Sequence, residues 1–309
     1  MSSPDIPQDA AVPGGFRCGY AAIVGRPNVG KSTLLNRLVG QKVSITSRKP
    51  QTTRHQVLGI QTTDRHQVVY IDTPGIHRQA RRAINRYMNR AADGALEQVD
   101  VVLFMIRALQ WKDEDDLVLE RVAALSKPLL VVVSQVDRIK QKEQLLPFLA
   151  TVQQHLPHGE VIPISAIHGQ NIEVLEREIA RRLPAGAPLF PEEQVTDRSE
   201  RFLAAELVRE KLTRTLGEEL PYRLTVEIER FKTKNRVTHI DAVIWVERES
   251  QKGMVIGHEG RILKKAGEEA RRDLETMLES KVFLRTWVKV KENWSDDERL
   301  LRLMGYDGV

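Results

Sequence analysis

The stretch IVGRPNVGKST, residues 23–33, decides how the chain is read. It closes an apolar β-branched run, passes through a Gly-rich turn and enters an amphipathic stretch, KSTLLNRLVG. The spacing is G-x-x-x-x-G-K-[ST], with Gly25, Gly30, Lys31 and Ser32 in the fixed places. In that strand–loop–helix setting the pattern describes a phosphate cradle. Glycines let the backbone N–H groups turn inward, and the following helix adds partial positive charge at its start. Arg26, Pro27, Asn28, Val29 and Thr33 complete the loop. Lys31 is placed to reach β- and γ-phosphates, and Ser32 to ligate Mg²⁺.

Outward from the loop, apolar runs alternate with helical ones. YAAIV, HQVVYI, DVVLFMI and LLVVVS are short and nearly continuous, as strands buried on both faces are. KSTLLNRLVG and DEDDLVLERVAALS lie between them with helical spacing. The alternation predicts an α/β fold, a mostly parallel sheet with helices on both faces, over 17–183. Residues 184–199 carry Pro184, Gly186, Pro188 and Pro191 and read as a linker. A second, α+β domain is expected over 200–309. It opens with a helix whose Phe202, Leu203, Leu207 and Leu212 repeat at helical spacing. Alternating strands, a Gly-rich turn, a further helix and the strand KVFLRTWVKV follow.

Composition excludes several classes. The chain has 309 residues, 29% charged and 41% hydrophobic, with a net charge of +5. That suits a globular protein of two domains, and the mild basic excess permits nucleic acid or an anionic surface as partner. The one cysteine, Cys18, rules out an internal disulfide and a Cys-based metal site and fits a reducing cytosol. It reads as a small apolar filler. The first 16 residues are polar and rich in Pro and Gly, and read as a flexible tail without a signal-peptide pattern. No apolar run approaches the roughly 20 residues of a membrane span, so any membrane contact would be peripheral.

Further motifs follow in order. YIDTPG ends a buried strand. Its Asp72 can hold Mg²⁺, and the Gly75 N–H can meet the γ-phosphate, with Thr73, Pro74 and Ile76 around them. SRKPQTTRH between the two motifs is polar. One of its threonines can close over metal and γ-phosphate as a switch loop, and Thr53 is the choice over Thr52. LLVVVSQVDR ends in Ser134, Gln135, Val136 and Asp137, and PISA brings Ser165 and Ala166.

This order of motifs resembles the translation-factor-related small GTPases, and GRPNVGKSTLLN, QTTRH and DTPG most resemble the Era branch. RAINRYMN, TDRSERF, LPYRLTVEIERF, VIGHEGRILK and WSDDERLLRLMGY extend the likeness over nearly all residues after the tail. The resemblance implies GTP/GDP and Mg²⁺ as ligands, with Ser32, Thr53 and Asp72 on the metal. It also implies Asp137 as the guanine reader and a Ser165–Ala166 backbone loop at the guanine carbonyl. The usual base-reading motif is Asn-Lys-x-Asp, and SQVD keeps only the Asp. An Asp carboxylate can accept from N1–H and the N2 amine of guanine, whereas adenine offers neither. Specificity is therefore expected to survive. Loss of a hydrogen bond or two, at about 1 kcal/mol each, should weaken binding by roughly 5- to 30-fold. Ser134 can replace one brace of the absent Asn, while Gln135 has a shorter stem than Lys and no charge.

Ile76 stands where Ras-like proteins carry a catalytic Gln, so hydrolysis is expected to be slow without help. Asn28 matches relatives in which this residue helps hold K⁺, which would supply charge where other GTPases use an arginine finger. Lys31, Thr53, Gly75 and Asn28 form the expected catalytic set. Two alternatives stay open at this stage: an RNA-binding assembly factor that does not hydrolyse nucleotide, and a P-loop ATPase.

In the second domain Gly257-His258-Glu259-Gly260, between Ile256 and a helix bearing Arg261, Lys264 and Lys265, fits the loop of a type II KH domain, which clamps about four nucleotides. Glu259 is out of place there, because it would repel phosphate unless turned away. Arg271 and Arg272 follow on the same helix. Val255, Ile256, Ile262 and Leu263 suit either groove wall or core. The resemblance implies contact with 16S ribosomal RNA near its 3′ end, maturation of the 30S subunit, a monomer, and a cytoplasmic location with some attachment to the inner face of the membrane.

Overall fold

The structure is a computed structural model, and it describes residues 15–47, 49, 52–75, 82–97, 99–156, 159–217, 220–303 and 306. Ile76 and most of the N-terminal tail lie outside the described residues. The first domain is built on a six-stranded sheet of order β2-β3-β1-β4-β5-β6. Its strands are β1 (Arg17–Val24), β2 (Val57–Thr62), β3 (His66–Asp72), β4 (Val101–Arg107), β5 (Leu129–Ser134) and β6 (Glu160–Pro163). All neighbours run parallel except β2, which pairs antiparallel with β3.

The continuous apolar strands are explained by what covers them. Ala21 and Ile23 of β1 face α1 (Lys31–Val39) and α5 (Ile172–Arg182). Ala22 and Val24 face the opposite layer of α2 (Ala83–Glu97), α3 (Asp113–Ala123) and α4 (Leu145–His155). None of these four β1 side chains has exposed surface. Each large one contributes about 1.5–3 kcal/mol by burial, so Ile23→Asp would place an unpaired carboxylate in the core. Strand ends β1, β3, β4 and β5 emerge on one edge of the sheet, the edge where ligands sit in open α/β folds.

The second domain packs α6 (Glu200–Thr215), α7 (Glu249–Ile256) and α8 (Arg261–Met277) on a three-stranded sheet of β7 (Leu224–Lys234), β8 (Val237–Val246) and β9 (Lys281–Val290). Strands β7 and β8 are antiparallel, and β8 and β9 parallel. Sequence patterning missed α7. Gln251 starts it by accepting from the backbone N–H groups of Glu247 (2.9 Å) and Arg248 (3.1 Å). Helix α6, capped by Ser199 on the Phe202 N–H, is more buried than an amphipathic surface helix. Arg209, Glu210 and Lys211 are buried along with Leu207 and Leu212, because the first domain covers the face that would otherwise meet solvent.

The Pro-rich segment is held rather than loose. Val195 accepts from the Ile60 N–H, Thr196 Oγ1 donates to the Leu58 carbonyl, and Gln67 binds the backbone of Leu189 and Phe190. Helix α9 (Glu298–Leu303) and Tyr306 turn back onto the first domain, where Trp294, Leu301 and Tyr306 share a core with Ile84, Tyr87 and Met88 of α2.

Candidate functional site

The phosphate cradle forms where β1 gives way to α1. Gly30 takes a left-handed conformation (φ 104°) and opens the helix. Lys31 is buried, and its Nζ donates to the carbonyls of Gly25 (2.9 Å) and Arg26 (3.2 Å). Burial pushes its pKa down to about 8, with Asp72 pulling the other way. A buried, partly discharged lysine gains most when a polyanion arrives beside it. Arg26 turns away from the cradle: its Nε meets the fully buried Asp115 of α3 at 3.0 Å and so ties the loop to that helix.

Three oxygen donors converge next to Lys31. Ser32 Oγ lies 2.7 Å from both Thr53 Oγ1 and Asp72 Oδ2. Ser44, which the motifs did not single out, donates to the same Asp72 oxygen at 3.0 Å. The other oxygen, Asp72 Oδ1, is buried without a partner, and burial raises the carboxyl pKa. Hydroxyls and a carboxylate with one orphaned oxygen are a hard-cation donor set that fits Mg²⁺. Thr52 is not part of it, because its hydroxyl donates to the Lys49 carbonyl three residues back. Thr73 donates to the Ile23 carbonyl and fixes the turn after β3. Gly75 lies so close to the loop that an added Cβ would sit 2.8 Å from the Pro27 ring. Only a glycine lets the two backbones meet there. Val29 is buried in the core beneath the loop.

At the base end, Ser134 is buried and its hydroxyl lies within 2.7 Å of the Val29 carbonyl and 3.0 Å of the Ile106 carbonyl. It braces strand end against phosphate loop. Gln135 adopts a left-handed conformation (φ 61°) and its Nε2 donates to the Asn28 carbonyl at 3.1 Å, while its Oε1 is buried and unpartnered. Val136 packs under the site against the core. Asp137 is exposed and accepts from Ser165 Oγ at 2.6 Å through one oxygen, which leaves the other for a ligand. Ala166 is part-buried beside it. A cavity of about 730 Å³ opens between the ends, with Asn28, Gly30, Ser47, Gln135, Arg138 and Arg214 among its walls. Ligand pockets have this size.

Arg214 belongs to the second domain, and no sequence signal marked it. It donates to the Thr46 carbonyl and hydroxyl (both 2.9 Å) and to Glu210. Glu210 has no exposed surface and accepts from the Thr46 N–H at 2.8 Å. Arg209, paired with Glu206, donates to the Thr52 carbonyl. Arg54 is fully buried, giving hydrogen bonds to the carbonyls of Leu224 (2.8 Å) and Pro221 (2.7 Å) and to Tyr306. His55 stacks on Tyr306 with Tyr87 and Phe202 at its edges, and burial lowers its pKa to about 3, so it is neutral. The polar loop carrying Thr53 is therefore held on its far side by the second domain.

The Gly257–Gly260 loop lies between α7 and α8. Gly257 (φ 73°) packs so tightly on Ile262 that a Cβ would come within 2.7 Å of it. His258 and Glu259 are exposed, and Glu259 pairs with Arg261 at 3.0 Å. The carboxylate thus offsets the arginine beside the loop. Lys264 and Lys265 are exposed on α8. Val255 is core, whereas Ile256, Ile262 and Leu263 are part-buried against it.

Comparison with known proteins places this geometry. Residues 20–135 match the family described as 50S ribosome-binding GTPase, and residues 219–295 match the KH domain. GTPase Era of Pseudomonas aeruginosa strain UCBPP-PA14 is 59% identical over 295 residues, 96% of this chain and 97% of that protein. GTPase Era of Azotobacter vinelandii is 58% identical over 94% of this chain and 97% of that protein. Among solved structures, Aquifex aeolicus Era bound to GDP and AlF4⁻ superimposes with a TM-score of 0.91 at 40% identity, covering 95% of this chain and all of that one. Era in complex with MgGDPNP and nucleotides 1506–1542 of 16S ribosomal RNA matches equally well.

Proposed function

This chain belongs to the Era family of GTPases, and on that premise we propose that it is a GTP-dependent switch that binds 16S ribosomal RNA near the 3′ end and assists maturation of the 30S subunit. The observation that carries the nucleotide part is the meeting of the Ser32 and Thr53 hydroxyls at Asp72 Oδ2, with the other carboxylate oxygen, Oδ1, buried and without a partner beside them. Ser32, Thr53 and Asp72 would hold Mg²⁺, which when bound neutralises charge on the β- and γ-phosphates. Lys31 and the backbone of residues 25–33 hold the phosphates, the Gly75 N–H meets the γ-phosphate, and Asp137 with the Ser165–Ala166 backbone reads guanine. Asn28 takes part in a K⁺ site that speeds an otherwise slow hydrolysis.

Thr53 senses the γ-phosphate side of the site, and its neighbours Thr46, Thr52 and Arg54 are bound to the second domain. Nucleotide state and second-domain position are therefore linked. The RNA part is supported by a relative 40% identical whose structure holds 16S RNA and by the Gly257–Gly260 loop beside Ile256, Arg261, Lys264 and Lys265. We place the protein in the cytoplasm as a monomer with peripheral contact at the inner face of the membrane. Among the described residues no helix is long and apolar enough to cross one.

Titration with GTP, GDP and ATP, followed by single-turnover hydrolysis in K⁺ or Na⁺ with and without a 16S 3′-end fragment, tests the reading. Guanine preference, faster turnover in K⁺ and stimulation by RNA are expected. Equal ATP and GTP affinity would overturn the nucleotide assignment, and equal rates in the two salts would remove the K⁺ role.

A further inference from the structure

The outer face of the second domain's sheet carries a pattern that the phosphate site and the glycine loop leave unused. Along β9, Val282 and Val288 enter the core with α8. The alternate residues Phe283, Arg285, Trp287 and Lys289 turn to the other face, as the period of two requires. Strand register sets His239, Asp241 and Trp245 of β8 beside them, and Arg230 and Lys232 of β7 beyond.

These side chains form a platform of rings and cations. The Lys289 ammonium lies over both Trp245 (5.5 Å to the centroid) and Trp287 (5.8 Å). Phe283 is 51% exposed and leans on His239. The acids on this face are already engaged: Asp241 by a two-pronged pair with Arg285 at 2.7 Å, Glu229 by Lys289 and Glu227 by the Trp245 indole N–H. Bases outnumber acids, with Arg230, Lys232 and Lys281 in addition.

We propose that this face is a second surface for single-stranded RNA, on which unstacked bases lie against Phe283 and Trp287 while Arg285, Lys289 and Lys232 meet the phosphates. Rings interleaved with cations on a sheet are the physical basis of sequence-tolerant single-strand binding, since every base has a π-face. Strand β9 is the sheet edge and also packs under α7 and α8. RNA leaving the Gly257–Gly260 loop therefore has one strand to cross. An anionic membrane suits the face less well. Insertion needs apolar groups free to enter the headgroup layer, whereas the two tryptophans are half-buried under Lys289 and Phe283 alone stands clear.

The inference rests on the RNA-binding reading of this domain, so the test separates the two. The full-length protein with a non-hydrolysable GTP analogue is titrated with a 5-nucleotide and a 12-nucleotide RNA from the 16S 3′ end, and with phosphatidylglycerol vesicles. Phe283→Ala and Trp287→Ala should each weaken the 12-mer by about 5- to 150-fold and leave the 5-mer unchanged. Lys289→Gln, which leaves every ring in place, should make the 12-mer's salt dependence shallower by about 0.7 in log–log slope. His258→Asp in the loop should weaken both RNAs. If the wild type binds the 5-mer but the ring variants leave the 12-mer untouched, the second surface is wrong and the loop reading stands. Equal loss of both RNAs on ring removal, or loss of vesicle binding in place of RNA binding, also overturns it. If the wild type binds neither RNA, the domain reading fails first and takes the second surface with it.

Discussion

The chain has two glycine loops proposed to meet anions, and they are built oppositely. The loop at Gly25–Gly30 is walled in: Lys31 is buried, Arg26 is tied to Asp115, and Ser134 and Gln135 reach across to hold the Val29 and Asn28 carbonyls. The loop at Gly257–Gly260 is open, with His258, Glu259 and Arg261 all exposed. A walled loop carries its charges at low dielectric, where one hydrogen bond decides identity. An open loop works through screened charges, where affinity is a sum over many weak contacts. Substitutions in the first should therefore act sharply and in the second gradually.

The sharpest test is Asp137→Asn. On the proposed reading the Asp137 carboxylate accepts from the N1–H and N2 amine of guanine, and a site built on such bonds discriminates by about 10⁴-fold or more. The variant should lose GTP by a factor of this order and prefer xanthine nucleotides, read by competition titration. A loss of tenfold or less would mean that the Ser165–Ala166 backbone, not Asp137, carries the selection.

Lys31→Ala comes next. Removing one partner of a buried charged contact costs about 2–5 kcal/mol, so GTP affinity should fall by about 30- to 5,000-fold. The wild type offers a milder form of the same experiment. Burial holds the free Lys31 pKa near 8, and bound phosphate favours the charged form. Affinity should be nearly flat below pH 7 and weaken as pH rises through 8, by about fivefold between pH 8 and 9 at most. A flat profile to pH 9.5 would show that Lys31 is solvated before nucleotide arrives.

The contact between the Thr53-bearing loop and the second domain has its own acid sensitivity. His55 is neutral in its aromatic seat, with a pKa of about 3 against 6.5 for a free histidine. When the seat opens the ring regains the higher value, so the open state binds the proton that the closed state refuses. Stability of the seat is complete above pH 6.5 and falls as pH drops toward 3, by about 1.4 kcal/mol per unit. At pH 5 the seat should open about 30 times more readily, measured as hydrogen exchange of the Arg54–Gln56 amides. Unchanged protection factors between pH 7 and 5, after correction for the intrinsic pH dependence of amide exchange, would place the ring in contact with water.

How much of this was legible in the sequence follows from the range of the contacts. The phosphate loop, Asp72, Gly75 and the strand–helix alternation were readable because each depends on residues adjacent in the chain. Thr53 and Thr52 are told apart by a local hydrogen bond, which spends the Thr52 hydroxyl on the Lys49 carbonyl and leaves Thr53 at Ser32. The clamp from Glu210, Arg214 and Arg54 was not readable. It joins residues more than 160 positions apart, and a buried Glu210 looks like any charged residue on a helix. Strand β2 escaped for a similar reason, because Val57–Thr62 is short, is interrupted by Gly59 and ends in Gln61 and Thr62, and owes its place to pairing with β3 and to the Val195–Thr196 segment laid along it. The Pro-rich stretch has the composition of a linker, yet Gln67 and Leu58 hold it in place.

Gln135→Lys sharpens the walled side by repairing it. Gln135 spends its amide on the Asn28 carbonyl and leaves Oε1 buried without a partner. A lysine would keep a donor for that carbonyl, remove the orphaned oxygen and lay a longer stem along the base. GTP binding should tighten by about 5- to 30-fold, with GDP following equally, since the change lies away from the γ-phosphate. A gain confined to GTP would mean that the residue acts through the phosphate loop instead of the base.

The smallest effect belongs to the open loop, at Glu259→Lys. The carboxylate pairs with Arg261 at 3.0 Å, both groups standing in water. Exposed pairs of this kind contribute 1 kcal/mol or less, about fivefold at most, so the protein's stability should not move. The change should appear in RNA binding. It frees Arg261, adds a cation beside the phosphate path and removes an anion, so short-RNA affinity should rise a few-fold at low salt. The slope of log affinity against log salt should steepen by about 0.7 for each added phosphate contact. The gain should vanish near 0.5 M salt, where the Debye length shrinks to about 4 Å. A gain that persists at high salt would show that the loop recognises RNA through fixed short-range bonds, as the phosphate loop does nucleotide, and the contrast between the two loops would fail.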